Sequence, residues 1–188
     1  MKNIFIYTVL LFLMTVTARP IGSATVTDSE SKYDNVIFNF TIFSENAERA
    51  KQLKCLAKNI YFEARNEPFA GQLAVAMVTL NRVYDEKFPN TLCEVVYEGR
   101  HWASGHPKRH RCQFSWYCDG NSDNVLNKTA FKQSQNIASI ASEAYLEIKE
   151  QGLDITEGAR YYHTYEVSPS WSKVYPVVGR IGDHIFYR

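Results

Sequence analysis

The sequence has almost no net charge and few long hydrophobic runs. Lys and Arg number 21 and Asp and Glu number 20, so the formal net charge of the 188 residues is only +1. A near-neutral chain lacks the broad field with which dedicated nucleic-acid binders or membrane-surface binders attract their partners. The hydrophobic fraction of 45% is enough for a core and excludes disorder as the main state. We therefore expect a globular protein with no nucleic-acid partner.

The apolar run at the N-terminus is too short for a permanent membrane span. It extends from Ile4 to Val16, about 13 residues against the roughly 20 that cross a bilayer. Lys2 precedes the run and the small residues Gly22-Ser23-Ala24 follow it, as in a secretory signal peptide. We predict a signal peptide at 1–24 and a periplasmic or secreted protein that meets the membrane only through this segment. A signal anchor that is later released is the alternative.

Cysteine is also sparse. The chain has four, namely Cys55, Cys93, Cys112 and Cys118. In an exported protein an even number favours two disulfides, and the sequence leaves all three pairings open. A zinc site is the competing interpretation because His101, His106 and His110 lie near two of the cysteines. Structural zinc sites usually contain close Cys-x2-4-Cys pairs, and no H-E-x-x-H motif is present. We expect disulfides, no metal and no cofactor.

Composition and periodicity change around residue 45. Residues 25–45 are rich in Ser, Thr, Asn and Asp and show no sustained helical period, so we predict a linker or flexible arm there. From Ser44 to Ala64, apolar residues recur at helical spacing, which predicts a helix with Ser44 as its N-cap. We assign residues 46–188 to one folded domain.

Helical periods predict three more helices and a small sheet. The second helix follows Pro68, the third lies over 91–97 with Asn90 or Thr91 as its cap, and the fourth lies over 129–150.

The remaining segments lack a helical period. Residues 98–122 form a predicted long loop with a strand-like stretch at 113–116, while 159–165 and 181–187 are typical of a small hairpin. The fold class is therefore α+β, mainly helical, with a small antiparallel β-hairpin or sheet.

Glu63 is the strongest candidate for a catalytic residue. Leu56, Ile60 and Glu63 lie along one face of the first predicted helix, so aliphatic neighbours partly desolvate the carboxyl group. Desolvation raises the pKa of a carboxyl group and lets a Glu hold a proton at neutral pH. The competing interpretation is a surface ion pair with Arg65 or Arg82.

Several motifs occur together in the order found in one known family. They are Ile60-Tyr61-Phe62-Glu63-Ala64-Arg65-Asn66-Glu67-Pro68 with Gly71-Gln72, Thr79-Leu80-Asn81-Arg82-Val83, Phe88-Pro89-Asn90-Thr91, Cys112-Gln113-Phe114-Ser115-Trp116, Tyr162-His163-Thr164-Tyr165, Val167-Ser168-Pro169-Ser170-Trp171 and Ile181-Gly182-Asp183-His184-Ile185-Phe186-Tyr187. Through them the chain resembles, from about Leu53 to its C-terminus, the SleB-type cell-wall hydrolases, which include spore-cortex-lytic enzymes.

The resemblance implies a lysozyme-like fold related to lytic transglycosylases. It implies cleavage of peptidoglycan glycan strands at the β-1,4 bond between N-acetylmuramic acid and N-acetylglucosamine, with Glu63 as the catalytic acid of domain 46–188. Ordinary glycosidases use two carboxylates, and no second acid lies in a motif of comparable strength. We therefore expect a lytic transglycosylase, in which the C6 hydroxyl of muramic acid attacks its own anomeric carbon. Simple hydrolysis is the close rival.

Polar and aromatic residues of the matched motifs are candidate substrate contacts. They are Gln72, Asn81, Phe114, Trp116, Tyr162, His163 and Trp171. Amide groups would hydrogen-bond an N-acetyl group, and aromatic faces would stack on sugar rings. Each residue has a structural alternative, such as a bond to a helix end for Asn81 or a place in the core for the aromatic side chains.

A basic cluster in the long loop has two open interpretations. It consists of Arg100, His101, His106, Lys108, Arg109, His110 and Arg111. The cluster either contacts anionic stem peptides or wall polymers, or it belongs to a solvated loop.

Two other function classes compete with a glycan-cleaving monomer. The first is a zinc-dependent wall amidase or peptidase, which the missing ligand motif opposes. The second is a non-catalytic wall-binding module, which the intact Glu63-Ala64-Arg65 motif opposes.

Overall fold

The computed structural model describes the backbone of residues 28–188 and the side chains of residues 44–188. The predicted signal peptide at 1–24 lies outside these residues. In chain order the elements are α1 (Asp28–Ala64), α2 (Phe69–Val83), α3 (Leu92–Val96), β1 (Gly99–His101), β2 (Pro107–Cys112), α4 (Lys128–Glu150), β3 (Tyr161–Thr164), β4 (Val177–Ile181) and β5 (His184–Tyr187), with 3-10 turns at Ser115–Cys118 and Ser170–Lys173. Residues 41–188 form one compact unit. Within residues 28–188 no helix is both long and apolar enough to cross a bilayer.

Helix α1 begins earlier than its apolar period predicts. It starts at Asp28, so the predicted start at Ser44 is wrong, and the backbone after residue 27 is helical where no helical period exists. Side chains 44–50 are exposed. Apolar periodicity marks the stretch of a helix that packs on a core, and the helical backbone can begin before that stretch. A linker role for 25–45 stays a prediction.

Helix α2 is the central element, as its nearly continuous apolar sequence predicts. Every residue from Ala74 to Arg82 is buried. On one side α2 packs against α1 and α4 in a cluster that includes Leu56 and Ile137. On the other side Ala74 and Val78 pack against Phe186 of the sheet. Burying both sides removes the apolar surface of α2 from water, which is the main driving force for this arrangement.

Helices α3 and α4 begin at side-chain caps. The hydroxyl of Thr91 accepts a hydrogen bond from the backbone N–H of Glu94 at 3.2 Å, so the predicted cap at Thr91 is confirmed. The side-chain oxygen of Asn127 accepts from the N–H of Ala130 at 3.0 Å at the start of α4. These oxygens satisfy backbone donors that have no partner within the helix.

The C-terminal residues form a three-stranded antiparallel sheet in the order β3-β5-β4. Strand β3 is at an edge, and Tyr162 and Thr164 pair with Phe186 and His184 of β5. Directly paired residues and residues two apart share a face of a sheet, so Tyr162, Phe186 and His184 point to the same side. The predicted mainly helical α+β class with a small antiparallel sheet is confirmed.

Strand β4 is absent from the prediction. It contains Gly179 and follows Pro176, two residues that favour turns. The pairing of β4 with β5 shifts register between Val177 and Gly179. Glycine is typical of such bulges. Gly179, which in the sequence indicates a turn, therefore lies in an irregular strand.

The segment predicted as a long loop contains a second, two-stranded sheet, β1-β2. The prediction of a strand-like stretch at 113–116 is wrong, because β2 ends at Cys112 and residues Ser115–Cys118 form a 3-10 turn. The aromatic residues that favour a strand there, Phe114 and Trp116, are instead buried in a cluster against α3. Their apolar character reflects tertiary packing rather than strand pairing.

The four cysteines form two disulfides, as predicted. Cys55 pairs with Cys93, and Cys112 pairs with Cys118. The first bond ties α1 to α3, and the second closes the short segment between β2 and the following 3-10 turn. All four sulfurs are consumed, so the cysteines are not thiolate ligands for zinc.

The two disulfides should differ in their contribution to stability. Their sequence separations are 38 and 6 residues, so the loop-closure model gives about 4 kcal/mol for Cys55–Cys93 and about 2 kcal/mol for Cys112–Cys118. We expect C55A/C93A to lower the free energy of unfolding by the larger amount, measured by urea denaturation of both double variants. Equal losses, or a larger loss for the short loop, would contradict this.

Candidate active site

A cavity of about 600 Å³ opens between helices α1 and α2, the segment after β2 and strand β3. Glu63 comes from α1, Arg82 from α2, and the rest of the lining includes residues 112–115 and 161–164. Because β3 is an edge strand, side chains from both of its faces reach the cavity. Several separate parts of the chain therefore meet around one carboxyl group.

Glu63 is the penultimate residue of α1 and lines this cavity. Leu56 and Ile60, on the preceding turns, are completely buried at 0% exposure. The hydroxyl of Tyr162 donates a hydrogen bond to Oε2 of Glu63 at 3.0 Å. Burial raises the pKa of Glu63 from 4.5 to about 7, although the Tyr162 bond and the charge of Arg82 both lower it. A carboxyl group with this pKa can both give and accept a proton at neutral pH.

The two arginines that could have paired with Glu63 are engaged elsewhere. Arg65 donates to the carbonyl of Tyr61 at 3.3 Å, and Nε of Arg82 donates to the carbonyl of Arg160 at 2.7 Å. Within the described side chains neither forms an ion pair with Glu63. The surface ion pair is therefore not what the structure contains.

Arg82 is a site residue that sequence reasoning missed. Its side chain is buried, with 3% exposure, and lines the cavity with Glu63. When the amide of Gln113 is oriented with its oxygen toward Arg82, that oxygen accepts from both terminal nitrogens at 2.8 and 3.1 Å. The ring of Phe114 lies 5.0 Å from the guanidinium carbon. The sequence contained one signal for Arg82, because it is the only charged residue of the otherwise uncharged helix α2. Charged side chains are almost never fully buried unless they are paired.

Four of the seven predicted substrate contacts line the cavity. They are Phe114, Tyr162, His163 and Trp171. His163 is held in place by both ring nitrogens, since Nδ1 lies 2.8 Å from the carbonyl of Thr164 and Nε2 lies 2.7 Å from the hydroxyl of Tyr187. Its imidazole therefore fixes the wall of the cavity and has no nitrogen left for a second partner.

An aromatic wall, which we define as Tyr161, Trp171 and Tyr175, forms one side of the cavity. Tyr161 and Tyr175 stack with ring centroids 4.3 Å apart, and Trp171 lies 5.9 Å from Tyr161. Tyr161 and Tyr175 were not predicted as substrate contacts, because nothing in the neighbouring sequence distinguishes them from core residues. Their faces supply the kind of surface on which sugar rings stack.

Gln72 and Asn81 lie outside the lining of the cavity. Gln72 donates to the carbonyl of Glu67 at 2.9 Å and so joins the end of α1 to the start of α2. Asn81 donates to the carbonyl of Ala159 at 3.0 Å and accepts from the hydroxyl of Tyr145 at 2.9 Å. Buried amides need such partners, and for Asn81 the protein supplies them to both the nitrogen and the oxygen. The structure does not bring either residue to Glu63.

Trp116 also lies outside the cavity. Its indole N–H donates to the side chain of buried Asn59 at 3.0 Å, and its ring stacks on Phe62 at 4.6 Å. Both contacts are with α1, so Trp116 packs the segment after β2 onto the helix that carries Glu63. It supports the site rather than forming its surface.

Glu63 is the only carboxyl side chain among the described residues that line this cavity. A second groove, of about 250 Å³, also includes Glu63 and adds the acids Glu67, Glu166 and Asp183. Glu67 is occupied, because its Oε2 accepts from the backbone N–H of Asp183 at 3.1 Å. Glu67, Glu166 and Asp183 are therefore the acids that share a groove with Glu63.

Comparisons with known proteins agree with the motifs. A family model described as Cell Wall Hydrolase matches residues 66–187, a range that begins just after Glu63. Spore cortex-lytic enzymes of Bacillus cereus and Bacillus subtilis are 32% and 33% identical to the chain over 142 and 135 residues. These matches cover 75% and 71% of the chain but only 46% and 36% of the relatives, so the chain spans less than half of their length.

Two solved structures are also similar. The catalytic domain of the Bacillus cereus SleB protein and that of the Bacillus anthracis germination-specific lytic transglycosylase SleB each have a TM-score of 0.50 and 31% identity. The matches cover 73% of this chain and 89% and 93% of the two domains. The predicted resemblance and the α+β lysozyme-like fold are confirmed.

Removing the hydroxyl of Tyr162 should raise the pKa of Glu63 further above its ordinary value. That hydroxyl donates a hydrogen bond that stabilises the carboxylate form and so lowers the pKa. In Tyr162→Phe this stabilisation is lost, and the effect of burial, which raises the pKa, is less compensated. NMR titration of 13C-labelled glutamate side chains measures the change. Tyr187→Phe is the matched control, because that hydroxyl contacts His163 and not Glu63. An unchanged or lower Glu63 pKa in Tyr162→Phe would refute the assignment.

Proposed function

Because the chain belongs to the cell wall hydrolase family, we propose that it cleaves peptidoglycan glycan strands at the β-1,4 bond between N-acetylmuramic acid and N-acetylglucosamine. The observation that carries the proposal is the half-buried Glu63, with a pKa raised to about 7, in the lining of a cavity with an aromatic wall. The similar proteins are spore cortex-lytic enzymes and a germination-specific lytic transglycosylase, which supports the same substrate.

In the first step Glu63 acts as the general acid. Its proton passes to the oxygen that bridges the two sugars, the bond between that oxygen and the anomeric carbon breaks, and positive charge develops on the sugar that remains. The Glu63 carboxylate left behind is stabilised by the hydrogen bond from Tyr162 and by the nearby charge of Arg82. Both groups are positioned before the reaction and need no rearrangement as charge develops.

In the second step the same carboxylate acts as the base. The C6 hydroxyl of the muramic acid attacks the anomeric carbon of its own ring, and Glu63 takes the hydroxyl proton. The product is a 1,6-anhydro sugar, and Glu63 is protonated again for the next cycle. The single carboxyl group in the cavity lining supports this lytic transglycosylase mechanism, because a two-acid glycosidase needs a second carboxylate at the bond.

The aromatic wall and β3 would hold the sugars on either side of the bond. Stacking of a sugar ring on Tyr161 or Trp171 needs no charge, in keeping with a largely neutral glycan backbone. Phe114 closes the cavity on the side of Arg82. Gln72, Asn81 and Trp116, which were candidates for substrate contacts, have no place in this proposal.

We further propose an exported, periplasmic or secreted monomer that uses no cofactor. The two disulfides support this location, because such bonds persist in oxidising compartments. A zinc-dependent amidase is disfavoured since the cysteines are paired with each other. A purely wall-binding module would not need a carboxyl group with a pKa as high as that of Glu63.

Replacing Glu63 by Gln should lower the rate of peptidoglycan cleavage by about 10²- to 10⁴-fold, the usual contribution of a general acid. The wild-type rate should fall as the pH rises through about 7, because only protonated Glu63 can supply the proton. Loss of turbidity of purified peptidoglycan, followed across this pH range, measures both effects. Retained activity in Glu63→Gln, or a wild-type rate that rises above pH 7, would contradict the acid assignment.

The products distinguish the two glycan-cleaving mechanisms. We expect mass spectrometry of digested peptidoglycan to give 1,6-anhydro-muramic ends, and we expect Glu166→Gln, which removes an exposed acid of the neighbouring groove, to keep its rate and products. Reducing sugar ends, together with loss of activity in Glu166→Gln, would favour hydrolysis with two acids. Freed stem peptides would instead indicate an amidase.

A further inference from the structure

The β1–β2 hairpin, residues 99–112, concentrates positive charge in a chain that is otherwise balanced. It contains four Lys or Arg and three His residues and no Asp or Glu. The whole sequence has 21 basic and 20 acidic residues. A local excess of this kind creates a positive field at one place on the surface.

Most of this charge is exposed and has no acidic partner. Arg100, Arg109, His110 and Arg111 are exposed. Within residues 44–188 no basic side chain of the hairpin forms an ion pair. Asp119 partly offsets the positive charge at one end of β2. Its pKa is lowered mainly by hydrogen bonds from Asn121 and also by the charges of His110 and Arg109. Among residues 44–188, no acidic side chain forms an ion pair with Arg100 or Arg111.

The backbone of the hairpin is held in a fixed geometry. Gly99 pairs with Cys112, and Cys112 is bonded to Cys118. A Cβ added at Gly99 would lie 2.9 Å from the sulfur of Cys112, so glycine allows the strands to close against the disulfide. At the tip, the N–H of Trp102 donates to the carbonyl of His106 at 2.9 Å. The charges are therefore presented at defined positions rather than on a freely moving loop.

The base of the hairpin is continuous with the lining of the cavity. Cys112 and the three residues after it line the cavity that contains Glu63. Arg111 is the neighbour of Cys112, and Arg100 is the neighbour of Gly99, which pairs with Cys112. Along the chain, Arg100 and Arg111 are therefore each one residue away from the Gly99–Cys112 pair, at which the cavity lining begins.

We propose that the hairpin binds the carboxylates of stem peptides carried by the glycan strand whose sugars occupy the cavity. The proposal rests on the proposed function, because it assumes that this strand is peptidoglycan. Stem peptides are attached to muramic acid, so their carboxylates lie beside the bond that is cleaved. A separate phosphate polymer would satisfy the charge but has no reason to follow the cavity, and the structure therefore favours the peptides.

Binding of soluble, end-labelled glycan strands, measured by fluorescence anisotropy, tests the proposal. All proteins carry Glu63→Gln, so that strands are not consumed, and strand length is checked afterwards. The hairpin variant is R100Q/R111Q, and the charge-retaining variant is R100K/R111K. The matched control is K54Q/K132Q, which removes two exposed lysines from α1 and α4. Thermal unfolding confirms that each variant is folded.

We expect R100Q/R111Q to bind peptide-bearing strands about three- to tenfold more weakly at low salt, from the usual strength of exposed ion pairs. The difference should vanish near 1 M salt, where screening acts within about 3 Å. R100K/R111K and K54Q/K132Q should bind as the parent does. Strands whose stem-peptide carboxylates have been converted to neutral amides should bind all four proteins equally, and the parent itself should show salt-dependent affinity only for strands that keep these carboxylates.

Three results would overturn the proposal. They are equal affinity of R100Q/R111Q and the parent for peptide-bearing strands, the same loss with strands whose peptide carboxylates are amidated, and a loss that appears only when phosphate polymers are attached to the glycan. The proposed function fails separately, through shortened strands in the Glu63→Gln proteins. In that event the anisotropy difference between variants still reports on the hairpin.

Discussion

The cost of burying the carboxyl group of Glu63 is the constraint around which this structure is organised. The end of α1 places the group beside buried aliphatic side chains, where burial raises its pKa to about 7. Tyr162 and Arg82 oppose that shift without abolishing it, and they come from two other elements. The balance keeps Glu63 between its two protonation states, which a group that gives a proton and later recovers it requires.

Two neighbouring residues of α2 hold this balance in place. Asn81 donates to the carbonyl of Ala159, and Arg82 donates to the carbonyl of Arg160, so α2 clamps consecutive carbonyls just before β3. Tyr162, two residues after Arg160, donates its hydrogen bond to Glu63. A residue with a supporting role and a residue of the site are thus adjacent on one helix, and this explains why Asn81 belongs to the motif without touching the cavity.

The chain divides its surface between two kinds of chemistry. The cavity offers aromatic faces and one protonable carboxyl group, a combination suited to neutral sugars. The β1–β2 hairpin, whose last residue Cys112 lines the cavity, offers exposed cations instead. The near-zero net charge of the whole chain hides this division from any argument based on composition.

The sequence alone was sufficient for whatever depends on neighbours along the chain. Helical spacing predicts α2, α3 and α4 and puts Glu63 on the face that carries Leu56 and Ile60, because period and capping are local properties. Spacing assigns a side chain to a face but not to a partner. Tertiary structure alone therefore decided which cysteines pair. It also decided that Arg82 lines the cavity and that Gln72, Asn81 and Trp116 do not. Each of these outcomes depends on contacts between segments far apart in the chain.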